Sequence, residues 1–240
     1  MIRHSLVIPA YNEAHLLPRL LDSVDTARLR YAGGVQVIVA DNASTDATAT
    51  LALRRGCDVA RVEKRCIAAA RNGGARLATG DSVCFIDADS SIHPDTFKAI
   101  DEALARPEVV GGATGVFPER WSIGIVATWM AMMPMVWVTG MDTGVVFCRR
   151  ADFEALGGYD EEREFAEDVV FMWALKRLGA KRGQKLKRLT QVKAMASMRK
   201  FDRHGDWHYF TTVMPQGVPA IFQRSRRTDL AKRYWYTDDR

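Results

Sequence analysis

Three short apolar runs constrain the fold of this chain most. Ser5–Ile8, Val35–Ala40 and Val83–Ile86 each stop at a polar loop, and a helical pattern follows each loop. Runs of that length, bounded by turn formers, read as strands buried on both faces. Strands that alternate with helices build an α/β fold around a mostly parallel sheet. Open sheets of this kind bind their ligands at the carboxyl ends of the strands. Function is therefore sought first in Pro9–Glu13, Asp41–Asp46 and Asp87–Ser91.

The third run ends in two carboxylates, Asp87 and Asp89, two residues apart on one loop. Hard oxygen ligands so placed suit Mg²⁺ or Mn²⁺ carrying a diphosphate, because such cations keep positions open for phosphate oxygens. The alternative for the pair is a solvated acidic turn. Asp41 closes the second strand, where a carboxylate can accept from a ribose hydroxyl or a base N–H; helix capping is the alternative for Asp41, Ser44 and Asp46, and the preferred one for Asp46. Arg71 lies in an alanine-rich helix, Cys66–Leu77, and is a candidate for a diphosphate or an ordinary surface arginine. Gly73 and Gly74 in that helix cost it about 1 kcal/mol each relative to Ala, so they imply close approach of backbone or ligand. Glu167 and Asp168 open the helix that runs to Leu178, where the macrodipole favours anions with or without a further role.

A chain 48% hydrophobic and 26% charged has the composition of a globular protein, and 240 residues is an ordinary length for a single α/β domain. Leu16, Leu17, Leu20 and Leu21 mark one face of the first helix, with Pro18 in its first turn. Asp95–Ala105 and Ala151–Leu156 read as further helices, and Val109–Gly112 and Gly144–Cys148 as strands. The chain contains neither GxGxxG nor GxxxxGK[ST], which leaves dinucleotide and P-loop folds unsupported. Cys57, Cys66, Cys84 and Cys148 have no metal-site spacing and read as reduced thiols of a reducing compartment. Without an N-terminal h-region the expectation is a cytoplasmic protein.

Residues 121–141 carry no charged side chain and hold Trp121, Trp129 and Trp137 at helical spacing. A core or site-covering helix ranks first for this stretch, an interfacial helix second and a membrane span last. Residues 181–240 carry a net charge of +10 against −5 for the rest. That tail suits phosphate-bearing ligands, an anionic membrane surface or nucleic acid, with a solvated helix surface as the alternative; no recognised nucleic-acid-binding module accompanies it.

Six motifs then occur in one order: Val7–Glu13, Asp41–Asp46, Ala70-Arg71-Asn72-x-Gly74, Asp87-Ala88-Asp89, Gly157-Gly158-Tyr159-Asp160 and Glu167-Asp168. Together they resemble the family 2 glycosyltransferases from about residue 5 to 178. The resemblance implies a GT-A (Rossmann-like) fold: a mixed, mostly parallel central sheet flanked by helices, over residues 1–200. A basic, aromatic-rich helical extension, 201–240, is expected to pack on it.

The same resemblance implies the roles. Pro9, Ala10, Tyr11 and Glu13 would line the nucleotide pocket, Asp41 would contact the base, and Arg71 would lie beside base or diphosphate. Asp87 would face ribose or metal, with Ala88 between it and Asp89, the ligand of the Mn²⁺ or Mg²⁺ that bridges the phosphates. Asp168 matches the catalytic base of an inverting enzyme, next to Glu167 on the substrate side. Arg199 is a candidate for the diphosphate, His204 for a further metal ligand, and Asp142 for an acceptor contact or a helix cap. The expected partners are a nucleotide-diphosphate sugar and a glycan or lipid-linked hydroxyl acceptor. A non-catalytic sugar-nucleotide-binding or membrane-docking protein is the alternative. A nucleotidyltransferase ranks lower, because no Gly-rich basic loop follows the first strand.

Overall fold

The computed structural model describes residues 1–163 and 166–213. Its framework is a seven-stranded sheet in the order β3-β2-β1-β4-β6-β5-β7. The strands are β1 (Ile2–Ala10), β2 (Gly34–Asp41), β3 (Asp58–Arg61), β4 (Ser82–Phe85), β5 (Val109–Pro118), β6 (Val146–Arg149) and β7 (Lys185–Ala196). β1 to β4 are mutually parallel, β6 runs antiparallel between β4 and β5, and β7 lies parallel to β5 at the edge.

The strand period of two sends alternate side chains to opposite faces. Leu6, Ile8, Cys84 and Ile86 enter the core on one face with Leu17, Leu20, Phe97 and Ile100. Those residues belong to α1 (Leu17–Leu29) and α4 (Thr96–Leu104), and α2 (Thr48–Arg54) adds Ala52. Val7, Val83 and Phe85 enter the core on the other face, against α3 (Ile67–Ala75), α6 (Arg150–Ala155) and α7 (Glu167–Ala180). Both faces of the central strands are covered, which is why they read as continuous apolar runs.

The glycine pair of α3 serves backbone packing. A Cβ at Gly74 would collide with Val7 and press on Ala40, and one at Gly73 would collide with Val62. Glycine there lets α3 lie directly on β1 and β2, which sets the depth at which Arg71 enters the molecule.

The uncharged stretch forms α5 (Ile123–Thr139). Ser122 Oγ caps it by accepting from the Ile125 N–H, and Gly140, at φ 72°, ends it in the left-handed conformation. Ile123, Val126, Met130 and Trp137 are exposed on it, so its solvent face is apolar. Among the described residues no helix is long and apolar enough to cross a membrane. α8 (Arg199–His204) straddles the expected boundary at residue 200, and a π-helical turn, Tyr209–Val213, follows it. The rest of the expected extension, 214–240, lies outside the described residues.

Candidate active site

The carboxyl ends of β1, β2 and β4 lie side by side, since Ala10 pairs with Asp41 and Val7 with Phe85. The loops leaving them are interlocked. The Asn12 N–H donates to Ser44 Oγ and the Glu13 N–H to Thr48 Oγ1. Asp46 accepts from the Ala14 and Thr48 N–H groups, so it caps α2 and also ties down the first loop. Among the described residues, Asn12, Ala43 and Ala166 are the non-glycine residues with positive φ. Each sits beside an acidic candidate: Glu13, Asp41 or the Glu167–Asp168 pair. Left-handed alanine is strained, and strain of this kind collects at functional sites.

Two arginines organise the acidic residues. Arg71 comes from inside: its Nη1 donates to Glu167 Oε1 and its Nη2 to Asp87 Oδ1 at 3.0 Å. Its guanidinium also lies 5.1 Å from the centre of the Tyr159 ring. One buried side chain thus joins the end of β4 to the start of α7, and so brings the Asp87–Asp89 loop and Asp168 into one site. Burial alone would lower the Arg71 guanidinium, but Asp87, Tyr159, Glu167 and Asp168 around it raise it. Burial pushes the Glu167 carboxyl up, against the pull of Arg71. Asn72 adds a second tie: it donates to the Tyr159 carbonyl at 2.9 Å and accepts from the Tyr159 N–H at 2.8 Å.

Arg199 comes from α8, at the other end of the chain. It grips Glu13 with both Nη atoms, at 3.0 and 2.9 Å, and reaches Asp89 Oδ2 at 3.2 Å. Burial pushes the Asp89 carboxyl up, and the negative charge of Asp87 adds to the effect. Arg19 Nη2 holds the Asp89 carbonyl at 2.8 Å. α8 is fastened in turn by Arg120, whose guanidinium bonds Asp202 and Asp206.

The expected site residues fall into three groups. Pro9, Ala10, Tyr11, Glu13, Asp41, Asp87, Ala88, Asp89, Glu167, Asp168 and Arg199 gather at this end of the sheet. Arg71 is there too, its two Nη groups bonded to Glu167 and Asp87, so it acts as a strut between two loops. Asp142 is elsewhere engaged: buried, it holds Arg188 of β7 at 2.9 Å, while Gly140 ends the helix. That pairing explains neither an acceptor contact nor a cap.

His204 is exposed on α8, 5.8 Å in ring separation from His208. Among the described residues no group of three or more His, Cys, Asp or Glu is set to hold a metal ion. The donor chemistry still fits a hard divalent cation. Asp89 and Glu13 share the Arg199 guanidinium and Asp87 lies on the same loop as Asp89, and carboxylate oxygens are the donors such a cation takes. Arg19 and Asn72 were not singled out as site residues from sequence. The family-like Ala-Arg-Asn-x-Gly motif is the signal that could have found Asn72.

A mixed, mostly parallel sheet with paired carboxylates at the end of a central strand and an acidic helix start tied to them is the architecture of the GT-A fold. The comparisons agree. The chain belongs to glycosyl transferase family 2, whose family model matches residues 5–156. It is 27% identical over 194 residues to a pre-mycofactocin glycosyltransferase of Mycobacterium tuberculosis, covering 74% of this chain and 40% of the relative. It is 28% identical over 142 residues to the amylovoran biosynthesis glycosyltransferase AmsB of Erwinia amylovora, covering 56% of this chain and 46% of AmsB. The chain thus spans less than half the length of these relatives. Among solved structures, S. aureus TarS 1-349 superposes with a TM-score of 0.64 at 17% identity, over 83% of this chain and 61% of TarS 1-349. The mannosyltransferase PcManGT of Pyrobaculum calidifontis, solved with GDP-Man and Mn²⁺, gives 0.61 at 23% identity, over 80% of this chain and 56% of its own.

Proposed function

We propose that this chain is an inverting glycosyltransferase that moves a sugar from a nucleotide-diphosphate donor to a hydroxyl acceptor, with a divalent cation as cofactor. The observation that supports the reading is the Arg71 strut, which ties Asp87, two residues before Asp89, to Glu167, the neighbour of Asp168. TarS has been solved with UDP-GlcNAc and PcManGT with GDP-Man and Mn²⁺, which supports a nucleotide-sugar donor and a metal for this chain as well.

Asp89 and Asp87 would hold the Mn²⁺ or Mg²⁺, which supplies Lewis-acid stabilisation of the leaving diphosphate. Arg199 is the mobile positive charge: on donor binding it exchanges Glu13 and Asp89 for a phosphate, keeping the fork geometry that suits both partners. Asp168 accepts the proton of the acceptor hydroxyl as that oxygen attacks the anomeric carbon from the face opposite the leaving group. General-base help of this kind is worth about 10²–10⁴-fold. Glu167 and Arg71 hold the helix start from which Asp168 works.

A lipid-linked acceptor and peripheral contact with the inner face of a membrane belong to the same reading. The apolar solvent face of α5, with exposed Trp121 and Trp207 beside it, supports them. Flotation with anionic vesicles at low salt checks the point: protein that stays at the bottom contradicts it.

Asp168→Asn tests the chemistry. The variant is expected to bind nucleoside diphosphate like the parent while donor turnover, followed by nucleotide release, drops at least 10²-fold. Near-normal turnover would move the base elsewhere.

A further inference from the structure

The end of β7 holds a cation pair with no role so far. Leu189 lies opposite Thr114 of β5 and Ala194 opposite Val116, so residues 190–193 all stand against Gly115. A bulge of this kind re-aims side chains, and bulges collect beside active sites. Just beyond it, Met195 and Ser91 exchange both backbone hydrogen bonds at 2.9 Å. The bulge is thereby tied to the loop that carries Asp89.

Strand alternation decides where the bulge points. Leu189, Val192 and Ala194 enter the core beneath α1 and α4, whereas Leu186 packs on the α7 side. Arg188 and Lys193 therefore stand on the α7 face. Asp142, 4% exposed, holds Arg188 by Nε and Nη2 at 3.2 and 2.9 Å. Arg188 stays 25% exposed, and its Nη1 has no acceptor among the described residues. Lys193 is exposed, with neither hydrogen bond nor ion pair among the described residues. The two cations meet over Gly115. A Cβ there would press on Lys193 Cγ at 3.2 Å and stand 3.8 Å from Asp142 Oδ2, the oxygen that Arg188 grips. Glycine thus lets the lysine stem lie against the ion pair.

We propose that Arg188 and Lys193 bind a phosphate group carried by the acceptor. This rests on the glycosyltransferase reading above and names the chemistry of its acceptor. A fixed guanidinium edge and a free ammonium offer converging donors to an oxyanion, which a neutral hydroxyl compound cannot use equally. α5 ends at Thr139, three residues before Asp142, and its solvent face is apolar. A phosphate on the pair can therefore carry an alkyl chain along that helix.

Calorimetric titration of the full chain without metal tests this on the parent, Lys193→Ala and Arg188→Lys. The probes are decyl phosphate below its critical micelle concentration, inorganic phosphate, and a neutral decyl ether of ethylene glycol. The parent is expected to bind decyl phosphate about tenfold or more tighter than the neutral ether. Each variant should lose about tenfold for decyl phosphate, yet bind UDP or GDP in Mn²⁺ within about twofold of the parent. Inorganic phosphate that binds as tightly as decyl phosphate, with the same losses, assigns the pair to a soluble phosphorylated acceptor. Weaker inorganic phosphate assigns it to a lipid-linked one. A parent that binds neither phosphate, a phosphate affinity unchanged in Lys193→Ala, or equal binding of the neutral ether overturns the site alone. A parent that binds phosphate but no nucleotide overturns the transferase reading, and the acceptor assignment with it. Lys193 is exposed and Arg188→Lys keeps a cation on Asp142, so unmoved melting temperatures separate these outcomes from misfolding.

Discussion

Arg71 and Arg199 do similar work from opposite directions, and the contrast between them separates scaffold from machinery. Each guanidinium holds two carboxylates of the site. The Arg71 side chain is 9% exposed and its partner Glu167 equally so, whereas that of Arg199 is 34% exposed. A charge pair sealed from water is costly to break and has no route to exchange partners. Arg199 is more open: Glu13 beneath it is 6% exposed but its other partner, Asp89, is 21% exposed, so the guanidinium reaches water and can trade a carboxylate for a phosphate. Arg71 also belongs to the stretch that the family model covers, while Arg199 comes from beyond it.

The strongest way to break this comparison is Arg71→Met. It strands Glu167 without its cation and should cost about 3–5 kcal/mol in denaturant unfolding. A cost under about 1 kcal/mol would show that Arg71 is no strut.

The next effect sharpens the rule that a buried charge needs a partner. His4 sits at the far end of β1, 1% exposed and 2.6 Å from Ser82 Oγ through Nδ1. Burial pushes its imidazole down to about 4. The unfolded chain takes up a proton there near pH 6.5, while the folded chain refuses it until about pH 4. Stability should therefore fall as the pH drops through that window, by about 3 kcal/mol in all. His4→Asn should remove that part of the pH slope, whatever its stability at pH 7. A slope unchanged in the variant contradicts the assignment.

The smallest effect concerns Arg199. Arg199→Ala takes one cation from the buried Glu13, so it should cost about 1–3 kcal/mol, less than Arg71→Met, yet weaken nucleoside diphosphate binding in Mn²⁺ about tenfold, near 1.4 kcal/mol. Destabilisation as large as that of Arg71→Met would erase the distinction.

The same contrast marks where sequence reading reached and where it stopped. β1, β2 and β4 were legible because burial on both faces leaves an uninterrupted apolar run, and Asp41, Asp87 and Asp89 because each follows such a run directly. The Gly73–Gly74 pair foretold a close approach, which proved to be backbone on Val7 and Ala40. β7 was not read. It is an edge strand with Lys185, Lys187, Arg188 and Lys193 along it, and its pairing with β5 slips between Thr114 and Val116. Charge on an edge strand guards against aggregation and hides the strand pattern. Arg199 lies 186 residues from Glu13, so their pairing exists only once the sheet has formed. Arg71 was visible as a residue but its partners were not, because an isolated arginine in a helix does not declare which carboxylates it will meet. The left-handed alanines at 43 and 166 have no local signal at all.

Thermal unfolding with UDP or GDP, with and without Mn²⁺, on the parent chain and on Asp89→Ala, tests the central claim most directly. Nucleotide at 100-fold over its Kd should add roughly 2.7 kcal/mol to the parent. The account predicts a rise in melting temperature that needs Mn²⁺ and disappears in Asp89→Ala. A rise of equal size without metal, or one that survives in Asp89→Ala, would contradict it.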